Sequence, residues 1–166
     1  MIGVLVLNLY NVLTEMKKNF LLIAVILIAV AIFYLYSSKT QNTANKLDFS
    51  HEALINGYQI KLAFALTEVE KTTGLSFQKE LKSDAGLLFF FEKDDYHGIW
   101  MKDMNFPIDV IWLDQDFVIT DLKTNFLPQS FPEVVHPQRK SRYVLEIRSG
   151  SAQNLEMKIG DRLKLI

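Results

Sequence analysis

GIWMKDMNFPIDVIWLD, Gly98 to Asp114, is the stretch whose reading decides the fold. Two apolar runs flank a corner at Met104 to Pro107, and each run has the length of a short strand. Lys102 and Asp109 interrupt them with charges that are costly to bury unpaired. Folded as an antiparallel hairpin turning at Asn105 and Phe106, the stretch sets Lys102 opposite Asp109 and Trp100 opposite Ile111, because opposed residues share one face of a ladder. A slip of one residue separates the two charges, so this register is a sharp expectation.

Reading outward from that hairpin, strand signals recur on both sides. YQIKLAFAL alternates Tyr58, Ile60, Leu62, Phe64 and Leu66 with Gln59, Lys61, Ala63 and Ala65, the period of a half-buried strand. Thr67 with Glu70 three residues on reads as a capping box, and Gly74 suits the end of one or two helical turns. GLLFFF, Gly86 to Phe91, is a continuous apolar run that predicts a strand buried on both faces, with its Phe residues in the core. Phe117 to Lys123 predicts a further strand, and Thr124 to Gln138, with three prolines, a loop whose Phe126, Leu127 and Phe131 either close over a ligand or seal one end of the fold, sealing being preferred. Tyr143 to Arg148 alternates again, Ser149 to Met157 has room for a short helix, and Gly160-Asp161 turns the chain into a last strand, Arg162 to Ile166. The expected fold is mainly β, a compact sandwich or open barrel with one or two short helices, preceded by an N-terminal transmembrane helix.

That helix is read from residues 20–36, FLLIAVILIAVAIFYLY, which carry no charge, Gly or Pro and are about as long as the shortest bilayer-spanning helices. Lys17 and Lys18 precede it and Lys39 follows, a bias that favours a cytoplasmic N-terminus. YLYSSKTQ offers no small-x-small cleavage site, so an uncleaved anchor is expected rather than a removed signal. MKKNFLLIAV already forms a complete export signal from Met16, and residues 1–15 are expected to precede the true start. The rival reading of those residues, an amphipathic surface helix, lacks the basic face such helices carry. The domains expected are therefore 16–38 as basic flank and anchor, 39–50 as a flexible linker and 51–166 as an exported β domain.

Composition narrows the function. There is no cysteine in the 166 residues, which excludes disulfides, thiolate metal sites, cysteine nucleophiles and lipoprotein processing. From Thr40 onward fifteen Lys and Arg face eighteen Asp and Glu, a net charge of −3. A nucleic-acid binder needs a basic patch, so no nucleic-acid partner is expected. There is no G-x-S-x-G elbow and no glycine-rich phosphate loop. His97 follows Asp94, Asp95 and Tyr96, but no second His lies at ligand spacing, so a solvated turn is preferred over a metal site. Neither metal nor cofactor is expected.

The ordered set GLLFFF, IWMKDMNFPIDVIWLD, RYVLEI, Gly150 and KIGDRLKL resembles the bacterial and archaeal family called domain of unknown function 192, over Ile60 to Leu165. Trp100, Met101, Lys102, Pro107, Asp109, Leu145, Glu146, Gly160 and Asp161 match its pattern. Asp103 and Met104 stand where Asn and Thr are usual, and Ser76 and Gln78 where Met and Arg are common. The resemblance implies a compact β fold exported behind a signal or anchor, and it implies no established activity.

The candidate ligand-binding residues are Trp100, Lys102, Asp109 and Glu146. One reading has Lys102 and Asp109 as a partly buried ion pair with Trp100 stacked alongside. The other lines a pocket with Lys102, Asp109 and Glu146, Lys102 taking an anionic or hydroxyl-rich group. The expected function is a membrane-anchored binding module for a small ligand or envelope component. A hydrolase-like enzyme using Lys102 with Asp109 or Glu146, and a structural partner of an envelope protein, are the alternatives.

Overall fold

The structure, a computed structural model, describes residues 2–41 and 46–166. It divides into two compact units, residues 1–43 and 44–166. The first is a single helix, α1 (Ile2–Gln41). Within it Leu13–Leu35 has a mean hydropathy of 2.4 and is long and apolar enough to cross a membrane. Residues 42–45 of the expected linker lie outside the described residues, and residues 46–50 have no regular structure.

The second unit is built on β1 (His51–Ile55), β2 (Tyr58–Ala65), α2 (Glu68–Thr73), β3 (Ala85–Asp95), β4 (Ile99–Trp100), β5 (Ile108–Leu113), β6 (Ile119–Phe126), β7 (Val134–Val135), β8 (Ser141–Arg148), α3 (Ser151–Asn154) and β9 (Lys164–Leu165). Seven strands form one sheet in the order β6-β5-β8-β3-β2-β1-β9, and β4 pairs with β7 apart from it. β2 and β3 run parallel, with Leu62 beside Gly86 and Phe64 beside Leu88. The other pairings are antiparallel.

This is a mainly β fold, as the strand periods predict, but it is an open sheet and not a closed barrel. The segments leading into the edge strands are joined around one isolated bridge, Val118 to Arg162, where Ile119 N donates to the Asp161 carbonyl at 2.8 Å and Leu163 N to the Phe117 carbonyl at 3.0 Å, but β6 and β9 themselves do not pair. Apolar cores lie on both faces. Ile60, Leu62, Leu88, Ile111, Leu145 and Ile147 pack on one face, and Ala63, Leu87, Phe89, Val110, Trp112 and Val144 on the other. GLLFFF is thus covered on both sides, Phe89 fully and Phe90 and Phe91 partly. YQIKLAFAL is not simply half-buried, since Ala63 and Ala65 on its expected polar face are buried too. The loop expected over residues 124–138 holds the end of β6, a 3-10 turn at Pro128–Ser130 and β7.

The expected hairpin does not form. Both edges of β5 are occupied: Asp109 stands opposite Ile147 on β8, and β6 takes the other side. β4 pairs instead with β7, Trp100 opposite Val134. The intervening corner has Asp103 at φ 56° and is held by the crossover between β2 and β3. There Ser76 Oγ donates to the Lys102 carbonyl at 2.8 Å and Phe77 N to the Asp103 carbonyl at 2.9 Å. A strand ladder had no free edge to grow along, and the corner found its hydrogen bonds elsewhere.

Candidate functional site

Glu146 sits where the alternation of β8 calls for an apolar residue. Its neighbours across the sheet are Leu87 on β3 and Val110 on β5, both in the core of that face. The side chain is 5 % exposed, and its Oε2 has no hydrogen-bond partner among the described residues. Burial pushes its carboxyl up from an ordinary 4.5 to about 8, because taking the charged form out of water is costly and nothing nearby offsets that cost. At neutral pH Glu146 therefore holds a proton. A buried, unsatisfied acid of this kind requires an explanation beyond packing.

Glu146 lines a cleft of about 200 Å³, together with α2, the segment that follows it and β4. α2 is placed by the predicted capping box: Thr67 Oγ1 accepts from Glu70 N at 3.2 Å, and Glu70 Oε2 accepts from Thr67 N at 2.9 Å. The helix ends at Gly74, φ 51°, and a Cβ there would stand 3.4 Å from Phe89 Cζ and 3.6 Å from Glu146 Oε2. Glycine thus meets two demands, a left-handed backbone and a clear space before the acid. Lys71 Nζ is bonded to Glu68 at 2.9 Å and lies 5.3 Å from the centroid of the Phe91 ring. Trp100 forms the opposite wall and is 43 % exposed, so it is a rim residue and not the core residue its size suggests.

Of the four expected site residues, the fold brings together Trp100 and Glu146 and leaves Lys102 and Asp109 apart from them. Asp109 is buried and committed: its Oδ1 accepts from Asn125 N at 2.9 Å and its Oδ2 from Ala152 N at 3.0 Å. It joins a left-handed residue of β6, Asn125 at φ 52°, to the first turn of α3. Lys102 is exposed, and the ion pairs among the described residues are Glu15–Lys18, Glu68–Lys71 and Asp94–Arg142. The expected Lys102–Asp109 bridge is not formed, because a carboxylate with both oxygens on backbone N–H groups needs no cation.

His97 is neither a free turn residue nor part of a metal cluster. Its ring stacks on Phe91 at 3.6 Å, its carbonyl accepts from Trp112 Nε1 at 2.8 Å, and burial lowers its pKa. Among the described residues no group of three His, Asp or Glu is placed to hold a metal. Sequence reading missed Gly74, Lys71 and Phe91 as cleft residues. The available signal was a glycine directly after a capping-box helix.

The family model of domain of unknown function 192, described as an uncharacterised ACR, matches residues 51–165. Two solved structures are similar. A protein proposed to be a transcription regulator from Sinorhizobium meliloti 1021 is 24 % identical with a TM-score of 0.67, over 73 % of this chain and 98 % of its own. A protein of unknown function from Novosphingobium aromaticivorans DSM 12444 is 26 % identical with a TM-score of 0.64, over 68 % and 83 %. No curated protein matches.

Proposed function

The chain belongs to the domain of unknown function 192 family, and we propose that its domain is a membrane-tethered module that binds a small ligand on Glu146. The observation that carries this reading is the unpartnered Oε2 of a buried acid facing a cleft. Small-molecule sites are concave, mostly apolar and furnished with few polar groups. Phe89, Phe91 and Trp100 supply an apolar wall, and Glu146 is the buried carboxyl among the polar lining residues, the others being Glu68, Lys71, Thr72, Thr73 and Ser76. In this reading α1 spans the bilayer, with Lys17 and Lys18 toward the cytoplasm and the domain outside.

The hydrolase-like alternative is weaker, since Asp109 is tied to the backbone and Lys102 forms no ion pair with either carboxylate. A nucleic-acid role, such as the description of the Sinorhizobium protein suggests, is disfavoured by the net charge of −3 from Thr40 onward. Native mass spectrometry of the full chain, extracted from its membranes in detergent, tests the proposal. A small-molecule adduct is expected on the wild type and should be lost from Trp100→Ala and Glu146→Gln. An adduct that persists in both variants would place the ligand elsewhere.

A further inference from the structure

We infer that the ligand seated on Glu146 is a small organic cation, a primary alkylammonium in class, whose charge pairs with the carboxylate while its apolar body lies against Phe89, Phe91 and Trp100. This rests on the ligand-binding reading above. Glu146 offers an unpartnered acceptor with apolar neighbours in the sheet, Leu87 and Val110 on either side of it. The lining also carries the hydroxyls of Thr72, Thr73 and Ser76, but Glu146 is its charged residue without an ion-pair or hydrogen-bond partner on Oε2, so a charged head group gains more there than a hydroxyl.

The aromatic wall already carries an ammonium. Lys71 Nζ rests 5.3 Å from the Phe91 centroid, within the roughly 6 Å over which a ring quadrupole attracts a cation. Charge then selects the head group. Lys71, nearly buried, is paired with the exposed Glu68, so ionised Glu146 is the charge of the cleft that has no ion-pair partner, and a monocation neutralises it. An anion would meet a Lys71 already engaged with Glu68.

Binding of such a cation exchanges it for a proton. The O–H bond of Glu146 breaks, the proton passes to solvent, and the carboxylate accepts hydrogen bonds from the ammonium. The groups that could interfere are few. α2 contributes Glu68 and Lys71, with Glu70 held in its capping box; β3 and β5 set Leu87 and Val110 beside the acid; β4 contributes no titratable residue, and the segment before it contributes His97, stacked on Phe91 at 3.6 Å with its pKa lowered by burial. Because Glu146 titrates at about 8, affinity should rise with pH below that value and level off above it.

The full chain in nanodiscs of zwitterionic lipid, titrated with n-butylammonium, n-butanol and butyrate under tryptophan fluorescence from pH 6 to 9, tests this inference. The ammonium is expected to bind at least about tenfold more tightly than the alcohol at pH 8, and its affinity to climb by close to tenfold from pH 6 to 7. Glu146→Gln should remove both the preference and the climb. Trp100→Phe, which leaves Trp112 as the remaining tryptophan, should remove the signal. Tighter binding of the alcohol or of butyrate, with a signal that Trp100→Phe removes, overturns the ammonium class and leaves the ligand-binding reading standing. An ammonium affinity that ignores pH, or survives in Glu146→Gln, also overturns the class. No Trp100 response to any of the three overturns both.

Discussion

Replacing Glu146 with Gln should abolish a large loss of stability that this domain undergoes as pH rises from about 4.5 to about 8. Burial holds the carboxyl at about 8 in the native chain, against 4.5 when exposed. Between those values the folded state keeps a proton that the unfolded state has released, so stability falls as pH rises. The contribution is fully present below pH 4.5, declines through neutrality and stops changing above about pH 8. At about 1.4 kcal/mol per pH unit the full decline is about 5 kcal/mol, of which about 3 is already lost at pH 7. Whole domains are stable by only about 5–15 kcal/mol, so a decline of this size between pH 4.5 and 8 is readable in an unfolding experiment.

The assay is urea unfolding of the full chain in detergent, followed by the fluorescence of buried Trp112 at pH steps from 4 to 9. The readout is the difference between wild type and Glu146→Gln. Glu70, Asp95 and Asp161, whose native pKa values are lowered by hydrogen bonds, act in the opposite sense and cost stability on acidification. They are common to both proteins and cancel in the difference. A fixed offset from the amide also cancels, because only the slope with pH is tested. Parallel profiles across that range would refute the reasoning, since they require Glu146 to be solvated or paired in the native domain.

Asp109→Ala leaves Asn125 N and Ala152 N without their acceptor and should cost about 2–4 kcal/mol, whereas exposed Lys102→Ala should change stability by less than about 0.5 kcal/mol; thermal melts of the two variants separate this arrangement from an ion pair, which would penalise both. Gly74→Ala forces a side chain into a left-handed turn against Phe89 and should cost about 1 kcal/mol or more in denaturant titration, with weakened ligand retention in the same preparation. Protease added outside intact spheroplasts should digest the β domain and spare α1, and digestion only after lysis would reverse the proposed orientation.

Strands 58–65 and 141–148, the buried run from Gly86, the capping box at Thr67 and the apolar N-terminal helix were all legible, because each is written in local periodicity or composition. Pairing was not. β5 is buried at every position, and a strand apolar on both faces carries no register signal that would tell β4 from β8 as its partner. Adjacency in sequence favoured the hairpin, and two occupied edges overruled it. The same error carried Lys102 to Asp109, since a buried carboxylate can be satisfied by backbone N–H groups that no side-chain pattern announces. Glu146 and Trp100 were found through the family motif; their meeting in one cleft depends on the position of α2, which the sequence places only as following β2.

The parallel pairing of β2 with β3 has a consequence for how such clefts diversify. Parallel neighbours cannot be joined by a tight turn, so the chain must leave the sheet after β2 and return to the start of β3. Residues 66–84 make that return, and they include α2, Gly74 and Ser76 of the cleft wall. The acid is fixed to the invariant geometry of the sheet, whereas the wall facing it is an excursion whose length and side chains can change without shifting a single strand register. Ser76 and Gln78, the departures from the family pattern, fall within this excursion. In the proposed binding reading, a change confined to this excursion alters the wall of the cleft while leaving Glu146 in its place on β8.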